Sequence, residues 1–183
     1  LVLMLAIAEL LSRSGERIGC PGVMEPVSSR SAAERLALAL SHASLDGGMP
    51  DLTHVGRMSD IVLISDFLDE EASLERTIAP AAQRGVRGHA VEIHDPAEER
   101  FPYSGRTEFR DPETGQKLVA GRAETIADDY RRAWHARRAA MSESIRSKGW
   151  SFLAHGTDRL ASEALATLHG HLSGIPTTGG ERS

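Results

Sequence analysis

The sequence predicts an α/β fold, a doubly wound and mainly parallel β-sheet flanked by helices, with one β-hairpin inserted late in the chain. The first observation is an apolar run at residues 61–64 that ends in Ser65 and Asp66. Such a run predicts a central strand, because a strand that is apolar on both faces needs helices above and below it. The second observation is the helical pattern at residues 70–84 followed by an alternating strand at residues 88–94. A strand, helix and strand at this short spacing predict a right-handed parallel crossover.

Composition and charge limit the classes of protein that this chain can belong to. Its 183 residues have the size of one domain, and we assign residues 1–174 to it. The net charge of −5 argues against a nucleic-acid partner or an anionic membrane. A single cysteine, Cys20, excludes an internal disulfide framework and predicts a reducing, cytoplasmic location. The apolar residues 1–11 form too short a run to span a bilayer.

The other elements follow from periodicity and from turn residues. Ser31 and Glu34 have the spacing of a capping box, and Pro80 predicts a kink. Helices are predicted at residues 1–11, 31–42, 70–84 and 124–148. A last helix, capped by residues 156–158, is predicted to run to residue 172. Strands are predicted at residues 16–23, 61–65, 88–94 and 150–155.

A turn sequence, Asp-Pro-Glu-Thr-Gly at residues 111–115, predicts the inserted hairpin within residues 101–122. The hairpin could serve as a stabilising flap or as a surface that binds a partner. Residues 175–183 are predicted to form a mobile tail. The longest helix carries six basic side chains, which favour a solvated face over a nucleic-acid site: Arg131, Arg132, Arg137, Arg138, Arg146 and Lys148.

Polar residues lie at the carboxyl ends of three of the predicted strands, or just after them, where open α/β sheets bind ligands. They are Ser65 and Asp66, His94 and Asp95, and His155 with Thr157 and Asp158. Carboxylates and hydroxyls at such an edge suit Mg²⁺, and the histidines suit zinc. Ser65 or Asp66 could instead cap the next helix. The sequence contains no Gly-rich phosphate loop, H-E-x-x-H or G-x-S-x-G motif.

An ordered set of segments resembles the bacterial domain-of-unknown-function-58 family, whose fold resembles the von Willebrand factor A domain. The set comprises residues 62–69, 87–91, 94–99, 111–115 and 157–159. The resemblance implies a role beside a MoxR-type AAA+ ATPase, as an adaptor or assembly factor. It also implies a magnesium site in which Asp66 takes the place of the aspartate that ends the fourth strand.

The sequence departs from the metal-binding pattern of von Willebrand A-like domains. No D-x-S-x-S motif occurs, and Gly48 is followed by Met49 and Pro50 rather than by threonine. The resemblance places the first strand of the fold upstream of Leu1, and we therefore expect upstream residues in the native protein. Without them, Asp66 belongs to an incomplete metal site.

Two functional hypotheses follow from these observations. The preferred one is a non-catalytic interaction module that presents the strand ends to a partner protein, with Ser65, Asp66, His94, Asp95, Thr157 and Asp158 as its contact residues. The alternative is a metal-dependent hydrolase, which requires convergence of Asp66, His94, Asp95, His155 and Asp158.

Overall fold

The computed structural model describes residues 1–43, 48–68, 71–111 and 115–174. The predicted tail at 175–183 and the turn residues 112–114 lie outside the described residues. The helices are α1 (Val2–Arg13), α2 (Ala32–His42), α3 (Glu71–Gln83), α4 (Pro96–Arg100), α5 (Ala127–Ser147) and α6 (Ala161–Leu172), with a short 3₁₀ helix at Ala123–Thr125. The strands are β1 (Ile18–Cys20), β2 (Met24–Val27), β3 (Asp60–Ser65), β4 (Arg87–His94), β5 (Thr107–Arg110), β6 (Lys117–Ala120) and β7 (Ser151–Gly156).

The main sheet is parallel, and its described strands lie in the order β3, β4, β7. Ile61 lies opposite Gly88, and Ala90 lies opposite Phe152. The predicted adjacency of these three strands is therefore confirmed. The central position expected for residues 61–65 is wrong for the described sheet, in which β4 takes the middle place. β4 is buried along nearly its whole length, because it is covered by strands at both edges and by helices on both faces.

Helices cover both faces of this sheet. On one face, Ile61 and Leu63 pack with Ile78 of α3 and Ile145 of α5. On the other face, Val91 packs with residues of α1 and α6, namely Leu3, Ile7, Ala164 and Leu168. This division follows the two-residue alternation of side chains along a strand. The sheet therefore has the helix-flanked arrangement that the sequence predicts.

The single strand predicted at residues 16–23 is wrong, because the structure has a short hairpin there. β1 and β2 pair antiparallel and belong to a sheet separate from β3, β4 and β7. Gly22, at a φ of 74°, lies in the turn, and the amide of Val23 donates to the carbonyl of Cys20 at 2.9 Å. Glycine adopts this left-handed conformation without strain, so the chain reverses before a longer strand can form.

Two predicted helix caps are absent. Ser31 is at the N-cap position of α2, but its side chain makes no capping hydrogen bond and instead lies 3.0 Å from the hydroxyl of Ser29. The last helix begins at Ala161 after Leu160, so residues 156–158 do not cap it. Arg159 and Leu160 separate residues 156–158 from the helix, and the amide of Arg159 donates to the carbonyl of Gly156 in a turn.

β5 and β6 pair antiparallel on either side of the predicted turn. The amide of Gly115 donates to the carbonyl of Asp111 at 2.9 Å, and the φ of Gly115 is 70°. Aromatic contacts join this hairpin to α5, since the ring of Phe101 lies between Phe109 and Tyr130, with centroid distances of 5.6 and 4.7 Å. In the described part of the chain, none of the helices has both the length and the apolar character that crossing a membrane requires.

A substitution at Gly88 tests the packing between β4 and β7. A Cβ atom at this residue would lie 1.9 Å from the ring of Trp150, whose indole nitrogen donates to the carbonyl of Val86 at 3.1 Å. We expect Gly88→Ala to lower the free energy of unfolding by about 3 kcal/mol, because a buried ring must move. Gly121→Ala is the control, since no atom lies within 4 Å of the added Cβ. Equal urea midpoints for the two variants would contradict this packing.

Candidate functional site

The three parallel strands end together at what we call the carboxyl edge of the sheet. His94 lies opposite Gly156 across the β4–β7 pair, and Ser65 lies opposite Glu92 across the β3–β4 pair. Beyond the strands, the amide of Thr157 donates to the carbonyl of His94 at 2.9 Å. The loops that carry the predicted site residues are therefore neighbours at this edge.

Two of the predicted aspartates stabilise local backbone structure. A carboxylate oxygen of Asp66 accepts from the amide of Leu68 at 3.1 Å. Asp95 is the N-cap of α4, and its carboxylate accepts from the amide of Ala97 at 2.7 Å. Each carboxylate thereby holds the turn that follows its strand. Asp66 is exposed as well, so the same side chain is accessible to a partner.

The loop after β3 is held by Arg137 of α5. Its guanidinium donates to the carbonyl of Phe67, a buried residue with a φ of 52°. The hydroxyl of Ser65 accepts from the amide of Phe67 at 3.2 Å. Arg137 thus supports a left-handed residue directly after the strand. Arg137 is exposed, as the predicted solvated face requires, but it also makes this contact across 70 residues, which local periodicity does not reveal.

A largely buried ion pair joins α5 to β4. Arg138 lies 2.6 Å from the carboxylate of Glu92, and the two side chains are 19% and 5% exposed. The guanidinium also lies over the ring of Trp134, 3.7 Å from its centroid. Sequence reasoning missed this group, because Arg138 was assigned to the solvated face. Glu92 was the available signal, because it is the one acidic or basic residue apart from histidine in the predicted strand at residues 88–94.

The pKa values of the buried groups follow from desolvation. Burial raises the pKa of Glu92, and the neighbouring Arg138 opposes that rise. Burial, and then the charge of Arg138, lowers the pKa of His94. His94 therefore favours its neutral form, although its Nε2 atom lies 3.6 Å from the carboxylate of Glu99.

A cavity of about 280 Å³ opens beside this group at the ends of β4 and β7. Arg100, Arg138 and Arg159 line it together with His94 and Asp158. Gly156 also lines the cavity, and a Cβ atom there would lie 2.7 Å from the carboxylate of Asp158. The lack of a side chain at Gly156 therefore leaves space between the two strand ends.

The residues of the hydrolase hypothesis do not form one group. Ala154 and Gly156 line the cavity, so His155 between them projects from the opposite face of β7. Asp158 pairs with Arg100 at 3.3 Å. Across the described ranges, no three His, Cys, Asp or Glu side chains come together as metal ligands. Asp66, with one oxygen engaged by Leu68, does not fit a metal centre by itself.

The ion pair between Arg138 and Glu92 predicts that removing one partner destabilises the fold more than replacing both. Arg138→Met leaves the carboxylate of Glu92 unpaired, so we expect a loss of about 3 kcal/mol in the free energy of unfolding at pH 8. The double variant Glu92→Leu/Arg138→Met should regain most of it. Urea unfolding of both variants tests this expectation. A double variant no more stable than the single one contradicts the pairing.

The stability of the Arg138→Met variant should depend on pH. Glu92 already has a raised pKa, and removal of Arg138 raises it further. The folded state then binds a proton more tightly than the unfolded state, so stability falls as pH rises above the ordinary value of 4.5. We expect the stability difference between Arg138→Met and the parent to be small near pH 4 and to grow toward pH 8. A constant difference in chemical denaturation would contradict this linkage.

Comparison with known proteins gives the fold and the family. The crystal structure of the conserved hypothetical protein BatB from Bacteroides thetaiotaomicron has a TM-score of 0.53 with 14% identity, covering 97% of this chain and 87% of that one. At this identity the likeness concerns the fold alone. The aligned protein shares the overall arrangement described above.

Mycobacterial relatives extend beyond this chain. The uncharacterized protein Rv1480 of Mycobacterium tuberculosis is 32% identical over 119 residues, which are 60% of this chain and 37% of that protein. The uncharacterized protein MAV169 of Mycobacterium avium is 35% identical over 98 residues, 54% of this chain and 57% of that protein. This chain thus spans less than two thirds of either relative. A family model described as "Protein of unknown function DUF58" matches residues 2–141, and the chain belongs to that family.

Proposed function

We propose that this chain is a non-catalytic protein-interaction module whose binding surface is the carboxyl edge of its sheet. The observation that supports it most is how the charged side chains at this edge are used. Arg138 pairs with Glu92, and Arg100 pairs with Asp158. Asp66 and Asp95 support turns. These groups build a shaped, charged surface, which suits recognition by a partner.

The proposed partner is a MoxR-type AAA+ ATPase, toward which the chain acts as an adaptor or assembly factor in the cytoplasm. This choice comes from the family resemblance, as does the von Willebrand factor A-like description of the fold. The edge itself contributes accessible polar groups, since Asp66, Thr157 and Asp158 are exposed. His94 lies buried beneath them, so it shapes the surface more than it contacts a partner.

A metal-dependent hydrolase is less well supported. Its mechanism needs a base, a metal and a water within one small volume. His94 and His155 instead project from opposite faces of the sheet, and Asp95 already holds the first turn of α4. The interaction module requires no such convergence, and we therefore retain it as the proposed function.

Neutralising exposed carboxylates at the edge tests the proposal. Asp66→Asn keeps an oxygen that accepts from Leu68 and removes only the charge, and Asp158→Asn does the same beside Arg100. An exposed ion pair contributes up to about 1 kcal/mol, so we expect each change to weaken binding of the ATPase by about two- to fivefold. Titration of the purified ATPase with the complete protein measures this effect.

The matched control is Glu143→Gln, which removes an exposed carboxylate from α5 beside the apolar part of the sheet. Arg137 does not serve as a control, because it donates to the carbonyl of Phe67. Binding should be unchanged in Glu143→Gln. Equal affinity of the parent, both aspartate variants and the control would place the contact elsewhere. Failure of the complete protein to bind the ATPase at all would refute the named partner.

A further inference from the structure

The cavity at the ends of β4 and β7 has the features of a small anion site. Three arginines line it, and two of them, Arg100 and Arg159, are largely exposed at its rim. Arg138 forms its inner wall, held between Glu92 and the ring of Trp134. The cavity therefore presents a fixed guanidinium at depth, paired with Glu92, and two exposed guanidiniums at the entrance, paired with Asp158 and Glu163.

The inner wall has hydrogen-bonding capacity that the described residues do not use. The Nη2 atom of Arg138 is buried and makes no hydrogen bond, whereas its Nε atom lies 2.6 Å from the carboxylate of Glu92. His94 is 9% exposed, and its Nδ1 atom also lacks a hydrogen-bond partner. Buried polar atoms without partners are uncommon in native proteins and call for an explanation. Binding of an oxyanion here would supply an acceptor for Nη2 of Arg138.

Volume and charge decide which anion fits. At about 280 Å³ the cavity is below the roughly 300–1,000 Å³ of pockets that enclose whole cofactors or drug-sized ligands, so it suits one side chain. Its walls also include the carboxylates of Glu99 and Asp158. These two charges disfavour a dianionic phosphate more than a singly charged group. A planar carboxylate also matches the fork of a guanidinium.

We propose that this cavity binds one carboxylate side chain from an acidic segment of the partner protein. The proposal rests on the proposed function and specifies the chemistry that the surface recognises. The carboxylate enters between Arg100 and Arg159 and is bound at depth by Arg138, which Trp134 and Glu92 hold in place. When the site fills, Asp158 releases Arg100 and accepts from a backbone amide of the incoming segment, so neutralising Asp158 still weakens binding of that segment.

The test uses acetyl-glutamate-amide as a probe and the two indole N–H signals of the protein as the readout. Trp134 lies under Arg138, whereas Trp150 is buried between Gly88 and Val86 and serves as an internal reference. We expect a saturable shift of the Trp134 signal alone at constant ionic strength. Acetyl-glutamine-amide lacks the charge and should bind at least about tenfold more weakly. Acetyl-phosphoserine-amide should also bind more weakly, because Glu99 and Asp158 repel its second negative charge.

Variants connect this shift to the cavity. Arg159→Gln alters an exposed residue, so the fold should be retained while the affinity for the probe falls at least about threefold. Arg138→Lys keeps the charge and loses the planar fork, and should abolish the saturable shift. Arg146→Gln, an exposed change on the same helix as Arg138, should leave the titration unchanged.

The possible outcomes separate this inference from the function on which it rests. No saturable Trp134 shift, equal binding of the glutamine probe, or tighter binding of the phosphoserine probe would overturn the carboxylate site. Equal titrations in the parent and in Arg159→Gln would overturn it too. The probe titration needs no ATPase, so probe binding without ATPase binding retains the site and refutes the partner. If the ATPase binds but the probe does not, the proposed interaction module is supported and the carboxylate site is refuted.

Discussion

The pairing of Arg138 with Glu92 is the interaction on which the carboxyl edge depends. It connects α5 to the middle strand of the described sheet at a distance of 2.6 Å, in a place where both charges are largely shielded from water. Two buried charges are tolerated together, because each offsets the desolvation of the other. The pair also fixes Arg138 over Trp134, and this arrangement forms the wall of the cavity.

One face of β4 is apolar in its first half and polar in its second half, so the apolar core and the proposed binding surface occupy different parts of the same strand. Ala90 packs in the apolar cluster with Met141 and Ile145, whereas Glu92 and His94, two and four residues later, meet Arg138 and Trp134. Because alternate residues share a face, all three β4 residues point toward α5. The amino half of this interface belongs to the apolar core, and the carboxyl half lines the floor of the proposed binding surface.

Much of the fold could be predicted from the sequence, since apolar runs and their polar ends report local structure directly. The parallel order of the strands at Ile61, Val91 and Phe152 came from such signals. The partners of α5 could not be predicted, because periodicity defines a helical stripe but not the rotation of that stripe against a distant sheet. The periodicity therefore predicts Arg138 on a solvated face, although it is half-buried against Glu92 and Trp134.

Hydrogen–deuterium exchange of the complete protein, with and without the purified ATPase, tests the central claim most directly. We expect slower exchange at the carboxyl edge, in residues 66–68, 95–100 and 157–159. Exchange at the opposite ends of the strands, near Gly88 and Ser151, should stay the same. Protection confined to the β5–β6 hairpin or to those opposite ends would contradict the assignment of the carboxyl edge as the binding surface.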